Sequence, residues 1–434
     1  MKKIATLSLL LTAFFLVSSD TPIKLQQWIA DDLPYLVEFY KERHMHPEIS
    51  LKEEKTSQAL AAELRKVGFE VTENFGGYGI VGILKNGEGP TLLYRTDMDA
   101  LPMYEKTKLP YTSQLTTTLN GNEVGTMHSC GHDIHMTTWL GTARAMAQHK
   151  DQWKGTLMLI GQPAEEIGAG AKLMLDAGLY QKFGVPDYGI GLHSNPTIKA
   201  GMIGVSDGFT MANAEMIDID VFGVGAHGAS PHMSVDPVVI SSMIVMELQT
   251  IVSRNVKPID DAVITVGAIQ GGTVGNIIPD EVKLKLTVRT FKEETRTLIR
   301  KRIREVCNGV AMAAGLPEEQ WPKVHFPETF TPANYNDSEL AQRIVASATK
   351  TIGKDNIVNT EPQLVAEDFA RYGSTEHDVP TVLFWLGTVT QEKIDSNKLP
   401  GLHSPFYYPE PEASIETGVN VTTNLLLDLF NETM

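Results

Sequence analysis

Cysteine is nearly absent from this chain, with two residues among 434. A small fold stapled by disulfides is thereby excluded, because such scaffolds need several bridges. Basic residues are also in short supply: 37 Lys and Arg face 53 Asp and Glu, for a formal net charge of −16. A surface that acidic repels phosphate backbones and no basic stripe interrupts it, so no nucleic-acid partner is expected. There is no internal repeat and no low-complexity tract, and the 36 glycines follow no collagen period. Past the amino terminus, no stretch reaches the roughly 18 apolar residues of a membrane-spanning helix. Apolar content is ample, 42% of residues, which rules out a disordered chain. At about 150 residues per domain, the length predicts two or three domains with a large core.

Lys2 and Lys3 precede an apolar run from Ile4 to Val17, and Ser18 and Ser19 follow. A charged start, an apolar middle and small residues at the end read as a signal peptide over residues 1–19, cleaved near Ser19. At about 14 residues the run is short for a membrane span, so none is expected in the mature chain. The short charged start points to export in a bacterium, into the periplasm.

From Leu25 to Gly68 the pattern is helical, broken at Pro47 and restarting after Ser50. Strands are predicted at Gly79–Leu84, Thr91–Arg95, Thr156–Gly161 and Tyr188–Leu192, with helices at Thr137–Gln148 and Ala169–Ala177 between them. Such alternation predicts an α/β fold whose mixed sheet is flanked by helices. Near Ser206 the rhythm changes. Strands at Glu215–Phe222, Ala262–Ile269 and Glu281–Thr290, with helices at Pro237–Val252 and Glu293–Ala314, form a βαββα run. The predicted organisation is a larger domain over 20–205 and 333–434, interrupted by a smaller α+β, ferredoxin-like domain over 206–332.

Seven of the twelve histidines fall in four short motifs: at 128, 132 and 135, at 193, at 227 and 232, and at 403. In MHSCGHDIH, Cys130, His132 and Asp133 bring soft, borderline and hard donors within four residues, in a loop that Gly131 lets bend. In GQPAEEIGAG the adjacent Glu165 and Glu166 follow a buried strand, at the end where open α/β sheets place ligands. One of the pair can bind metal while the other works as a general base. His193 in GLHSNP and His403 in GLHSPF are each preceded by Gly-Leu. In RTDMDALP, Asp97 or Asp99 reads as a ligand or as a carboxylate that orients a ligand histidine, the second being preferred for Asp99.

In their order, HMHPEIS, RTDMDALPM, HSCGHDIHM, GQPAEEIGAGA, GLHSNP, GVGAHGASPH, GGTVGNIIPD and LHSPFY resemble the bacterial and plant N-acyl-amino-acid amidohydrolases. That group includes hippurate hydrolases and hydrolases of indole-acetyl-amino-acid conjugates, within the clan of two-metal aminoacylases and carboxypeptidases. The resemblance covers roughly residues 35 to 408. It implies two divalent metal ions, Mn²⁺ or Zn²⁺ with Co²⁺ or Ni²⁺ also open, on Cys130, His132, Glu166, His193 and His403. Glu165 is then the general base. The inserted domain resembles the clan's lid and dimerisation domain, which implies a homodimer. His227 resembles the histidine that hydrogen-bonds the tetrahedral oxyanion, often in the partner's site, and Asn276 a substrate contact. Arg289 would meet the substrate's free carboxylate.

The expected activity is hydrolysis of N-acyl-L-amino acids, acetyl, benzoyl or similar, to a carboxylate and an amino acid. A dipeptidase or carboxypeptidase with the same site is the alternative, and a noncatalytic periplasmic peptide-binding protein a distant one. Cys307 lies on the apolar side of its helix, and Cys130 sits in the metal motif, so no disulfide is expected. Without metal, Cys130 is expected to be vulnerable to oxidation.

Overall fold

A computed structural model of the chain describes residues 20–396 and 398–432. The signal peptide expected over 1–19 lies outside the described residues. The larger unit is built on eight strands in the order Glu70–Thr72, Ile80–Lys85, Thr156–Gln162, Thr91–Asp97, Tyr188–Lys199, Thr381–Val389, Ile203–Val205 and Ile357–Asn359. The middle four run parallel, and antiparallel pairings on both sides make the sheet mixed. Successive side chains leave opposite faces of a strand, so a strand covered on both sides must be apolar throughout. Leu157 and Leu159 enter one core while Met158 and Ile160 enter the other. The first core is closed by helices Asp20–Met45, His132–Gln148, Ser338–Ile352 and Pro411–Asn431, the second by the shorter Gly170–Asp176, Leu179–Phe183 and Ala370–Gly373.

One boundary differs from expectation in a way that matters. The predicted helix at Thr137 begins at His132 instead. Gly131 adopts a left-handed backbone, φ 82°, that turns the chain directly into the helix, and a Cβ there would meet the Ser194 hydroxyl. His132 and His135 therefore sit one turn apart on a helix and not in a loop.

The inserted unit runs βαββαβ: Glu215–Phe222, Pro237–Thr250, Ala262–Gln270, Glu281–Thr290, Glu293–Ala313 and a short sixth element, Lys323–His325, absent from the sequence reading. Its antiparallel sheet has the order Ala262–Gln270, Glu281–Thr290, Glu215–Phe222, Lys323–His325, the ferredoxin-like arrangement. Ile217, Ile219, Val221, Val282, Leu284, Leu286 and Val288 pack under the two helices in a core of their own. The alternate residues, Met216 and Arg289 among them, face the other way, toward the larger unit. Contrary to the sequence reading, one described segment, Pro237–Asn255, is long and apolar enough by length and composition to cross a membrane. Ile240, Ile244 and Leu248 take its inner side into the inserted core.

Candidate metal centre

The parallel strands deliver their carboxyl ends to one place. Asp97 closes one strand opposite Gln162, which closes the next, and the chain after Gln162 makes the turn Pro163–Glu166. That turn is tight: Ala164 has φ 52°, and a Cβ at Gly170 would run into the Pro163 carbonyl oxygen. Two buried carboxylates hold it. Glu53 accepts the Ala164 N–H at 2.8 Å, and Asp99 accepts the N–H groups of Glu165 at 3.1 Å and Glu166 at 3.0 Å. Ser50 donates its hydroxyl to Asp99 at 2.6 Å.

The donors expected from the sequence converge here. Cys130 Sγ lies 3.6 Å from His193 Nε2. His132 donates Nδ1–H to the Asp99 backbone carbonyl at 2.7 Å, leaving Nε2 at 3.8 Å from a carboxylate oxygen of Glu165 and of Glu166. The other Glu166 oxygen is 3.3 Å from His403 Nε2. His403 has φ 63°, and its backbone N–H bonds to Ser129 O, so the strained residue is tied to the loop of Cys130. Ligand atoms from Cys130, His132 and His193, from Cys130, Glu166 and His403, and from His132, Glu165 and Glu166 each gather within 4.8 Å.

Asp99 meets His132 twice: its backbone carbonyl accepts Nδ1–H, and its carboxylate Oδ1 lies 3.5 Å from the same nitrogen, while that carboxylate also fixes the glutamate turn. His135, given no role in the sequence reading, braces the site: Nδ1–H donates to Asp97 at 2.7 Å and Nε2 accepts the Ser194 N–H at 2.7 Å, so neither nitrogen is free. Arg95, Glu367 and Asp368 were also missed. Buried Arg95 bonds Asp97 at 2.8 Å, Glu367 at 2.7 Å and Asp368 at 3.2 Å, which backs Glu165 with two further carboxylates. The signal was present in LVAEDFARY, where an adjacent acidic pair interrupts an apolar stretch much as Glu165 and Glu166 do.

This concentration of buried negative charge governs protonation. Burial, with Glu367, Glu166 and Asp368 nearby, pushes Glu165 well above the usual carboxylate range, and burial brings Glu166 to about 7. Burial opposes a charged His132, yet Asp97, Asp99 and Glu166 raise it to about 10. Burial and the two glutamates drive the Cys130 thiol far up. Cys130 and Cys307 are both free, as expected. The donor set fits divalent metal: it mixes thiolate, imidazole and carboxylate, and His132 Nε2 and Glu166 Oε1 are buried with no hydrogen-bond partner.

Cys130, Glu165, Glu166, His193 and His403 open onto a cleft of about 890 Å³ between the two units. Arg289 lines it from the inserted sheet, half-buried; burial alone lowers its pKa, no carboxylate contributing. His227 and Asn276 do not line the cleft. They lie together at the margin of the inserted unit, exposed, where Ala226–His227 pairs with Ile277–Ile278 and the Gly228 N–H bonds Asn276 O at 2.8 Å.

Relatives carry comparable chains. A Bacillus subtilis N-acetylcysteine deacetylase is 35% identical over 356 residues, 81% of this chain and 88% of its own length. A Campylobacter jejuni hippurate hydrolase is 37% identical over 337 residues, 76% and 84% of the two chains. The solved structure of a Bacillus subtilis protein described as a dinuclear metal binding peptidase superposes with a TM-score of 0.76 at 28% identity, covering 93% of this chain and 99% of that one. The pattern of peptidase family M20/M25/M40 matches residues 93–428. The chain belongs to that M20 family of metal-dependent hydrolases that cleave amide bonds.

Proposed function

We propose that the protein is an exported hydrolase of N-acyl-L-amino acids, releasing a carboxylate and a free amino acid. The observation that carries this reading is one cleft lined by four of the metal donors, with the fifth, His132, clustered behind them, together with the adjacent Glu165 and the cation Arg289. Cys130, His132, Glu166, His193 and His403 would hold two divalent ions, Mn²⁺ or Zn²⁺, with Co²⁺ or Ni²⁺ also compatible. When bound, such a pair generates a nucleophile at neutral pH and polarises the scissile carbonyl.

The chain's own residues do the rest. Glu165, fixed by the Asp99-bonded turn, takes a proton from the attacking water and returns it to the leaving nitrogen. Its crowded, buried position raises its proton affinity, which suits a group that must first take a proton. Arg289 pairs with the free carboxylate and sets the amide across the donors.

His227 and Asn276 serve a partner's cleft, with His227 hydrogen-bonding the oxyanion. Exposed Val239, Met243 and Met246, spaced one turn apart on Pro237–Thr250, support a two-fold dimer through the inserted unit. The edge strand Ala262–Gln270 lies beside that helix core and is open to pairing with a copy. Export into the periplasm belongs to the same proposal and rests on residues 1–19.

Amine release from acetyl- and benzoyl-amino acids with Mn²⁺ or Zn²⁺ tests the reading. No turnover refutes it, and faster turnover of unblocked dipeptides moves the assignment to the dipeptidase alternative. Glu165→Gln is expected to keep its metal and lose about 10²- to 10⁴-fold in kcat. Near-native kcat removes Glu165 as the base.

A further inference from the structure

Four large apolar side chains stand exposed in the one cleft: Ile167 at 57%, Leu364 at 39%, Val365 at 49% and Met216 at 68%. Single exposed apolar residues are ordinary, but several facing one concavity mark a site for an apolar ligand. Their backbones are anchored. Ile167 directly follows Glu166 in the turn fixed by Asp99. Leu364 and Val365 sit in a segment whose carbonyls at Gln363 and Val365 accept the Ala212 N–H at 3.1 and 2.9 Å, two residues before Glu367 grips Arg95. The wall is therefore preformed beside the reacting centre.

We propose that Ile167, Leu364 and Val365, faced by Met216, form an acyl subsite that selects bulky apolar acyl groups over acetyl. This deepens and rests on the amidohydrolase reading. The amino-acid half of the substrate takes Arg289, on the inserted sheet, through its carboxylate. The acyl half is then left to the wall that begins next to Glu166. Arg371 also lines that wall, but it donates from Nη2 to the Phe330 carbonyl, which keeps its guanidinium against the returning segment.

The test uses metal-loaded enzyme and N-acetyl-, N-hexanoyl- and N-benzoyl-L-alanine, with the amino acid then varied at fixed acyl group. The ratio of kcat/KM for benzoyl over acetyl is expected to be at least about tenfold, and to fall about tenfold in Leu364→Asn or Val365→Asn, whose side chains already meet solvent. A flat or acetyl-favouring series overturns the subsite while leaving the amidohydrolase reading intact. So does an unchanged ratio in both variants, or selectivity that follows the amino acid alone. No turnover of any acyl-alanine overturns the reaction assignment, and the subsite with it.

Discussion

His44, from the HMHPEIS motif, is a buried imidazole clamped between two carboxylates, and replacing it with glutamine should reveal a charge behind the metal centre. Nδ1 lies 2.6 Å from Asp133, the residue after His132, and Nε2 lies 3.1 Å from Glu105. Burial disfavours the charged ring, but the hydrogen bonds of Asp133 and Glu105 prevail and raise it from 6.5 to about 9. The same pairing lowers both carboxyls. A shift of that size corresponds to about 3 kcal/mol of folding free energy. Because the folded pKa lies above the unfolded one, this contribution is complete below about pH 6.5 and is lost as pH rises through about 9. The contributions of Asp133 and Glu105 run the other way, present above their ordinary range and lost as acid protonates them. His44→Gln keeps the volume but leaves two buried carboxylates without their cation, a cost of about 3 to 5 kcal/mol. Urea unfolding of wild type and variant, with identical metal loading, should show the widest gap at about pH 6 and a gap narrower by about 3 kcal/mol at about pH 9.5. A gap that stays constant between those values would mean that the ring is neutral and serves only as packing.

Asp99→Asn places an amide N–H₂ against backbone N–H donors of Glu165 and Glu166, so metal affinity should fall about 10- to 100-fold in chelator competition, and unchanged affinity would refute the turn's role. The metal-free protein should alkylate at Cys130 at least about tenfold more slowly than the urea-unfolded chain, because burial and the two glutamates hold the thiol protonated; equal rates count against this. Mixing inactive His227→Ala and Glu165→Gln proteins after dissociation should restore roughly a quarter of wild-type activity, since half the random dimers are mixed and each holds one native site. No recovery places His227 in its own subunit's reaction or in none.

The residues that the sequence made legible are those whose side-chain chemistry announces itself within a short string. Cys130 beside His132, and Glu165 beside Glu166, need no distant partner to look unusual, and the strand–helix rhythm placed the glutamates at a strand end and the Cys130 loop ahead of a helix. The support beneath them was illegible for a physical reason. Arg95 meets Glu367 across 272 positions, and nothing local to either reports the other. Asp99 was expected to orient a histidine with its carboxylate, which lies 3.5 Å from His132 Nδ1; the closer contact, 2.7 Å, is to its backbone carbonyl, and a carbonyl belongs to every residue type. His132 was read into a loop because a left-handed glycine can end a loop or start a helix; contact with Asp99 and Ser194 decides between them. His227 shows the converse: its motif is as conspicuous as that of His193, yet the fold carries it away from the cleft of its own chain. A residue's chemistry can be read locally, whereas the site that uses it depends on what the chain, or a second copy of it, packs alongside.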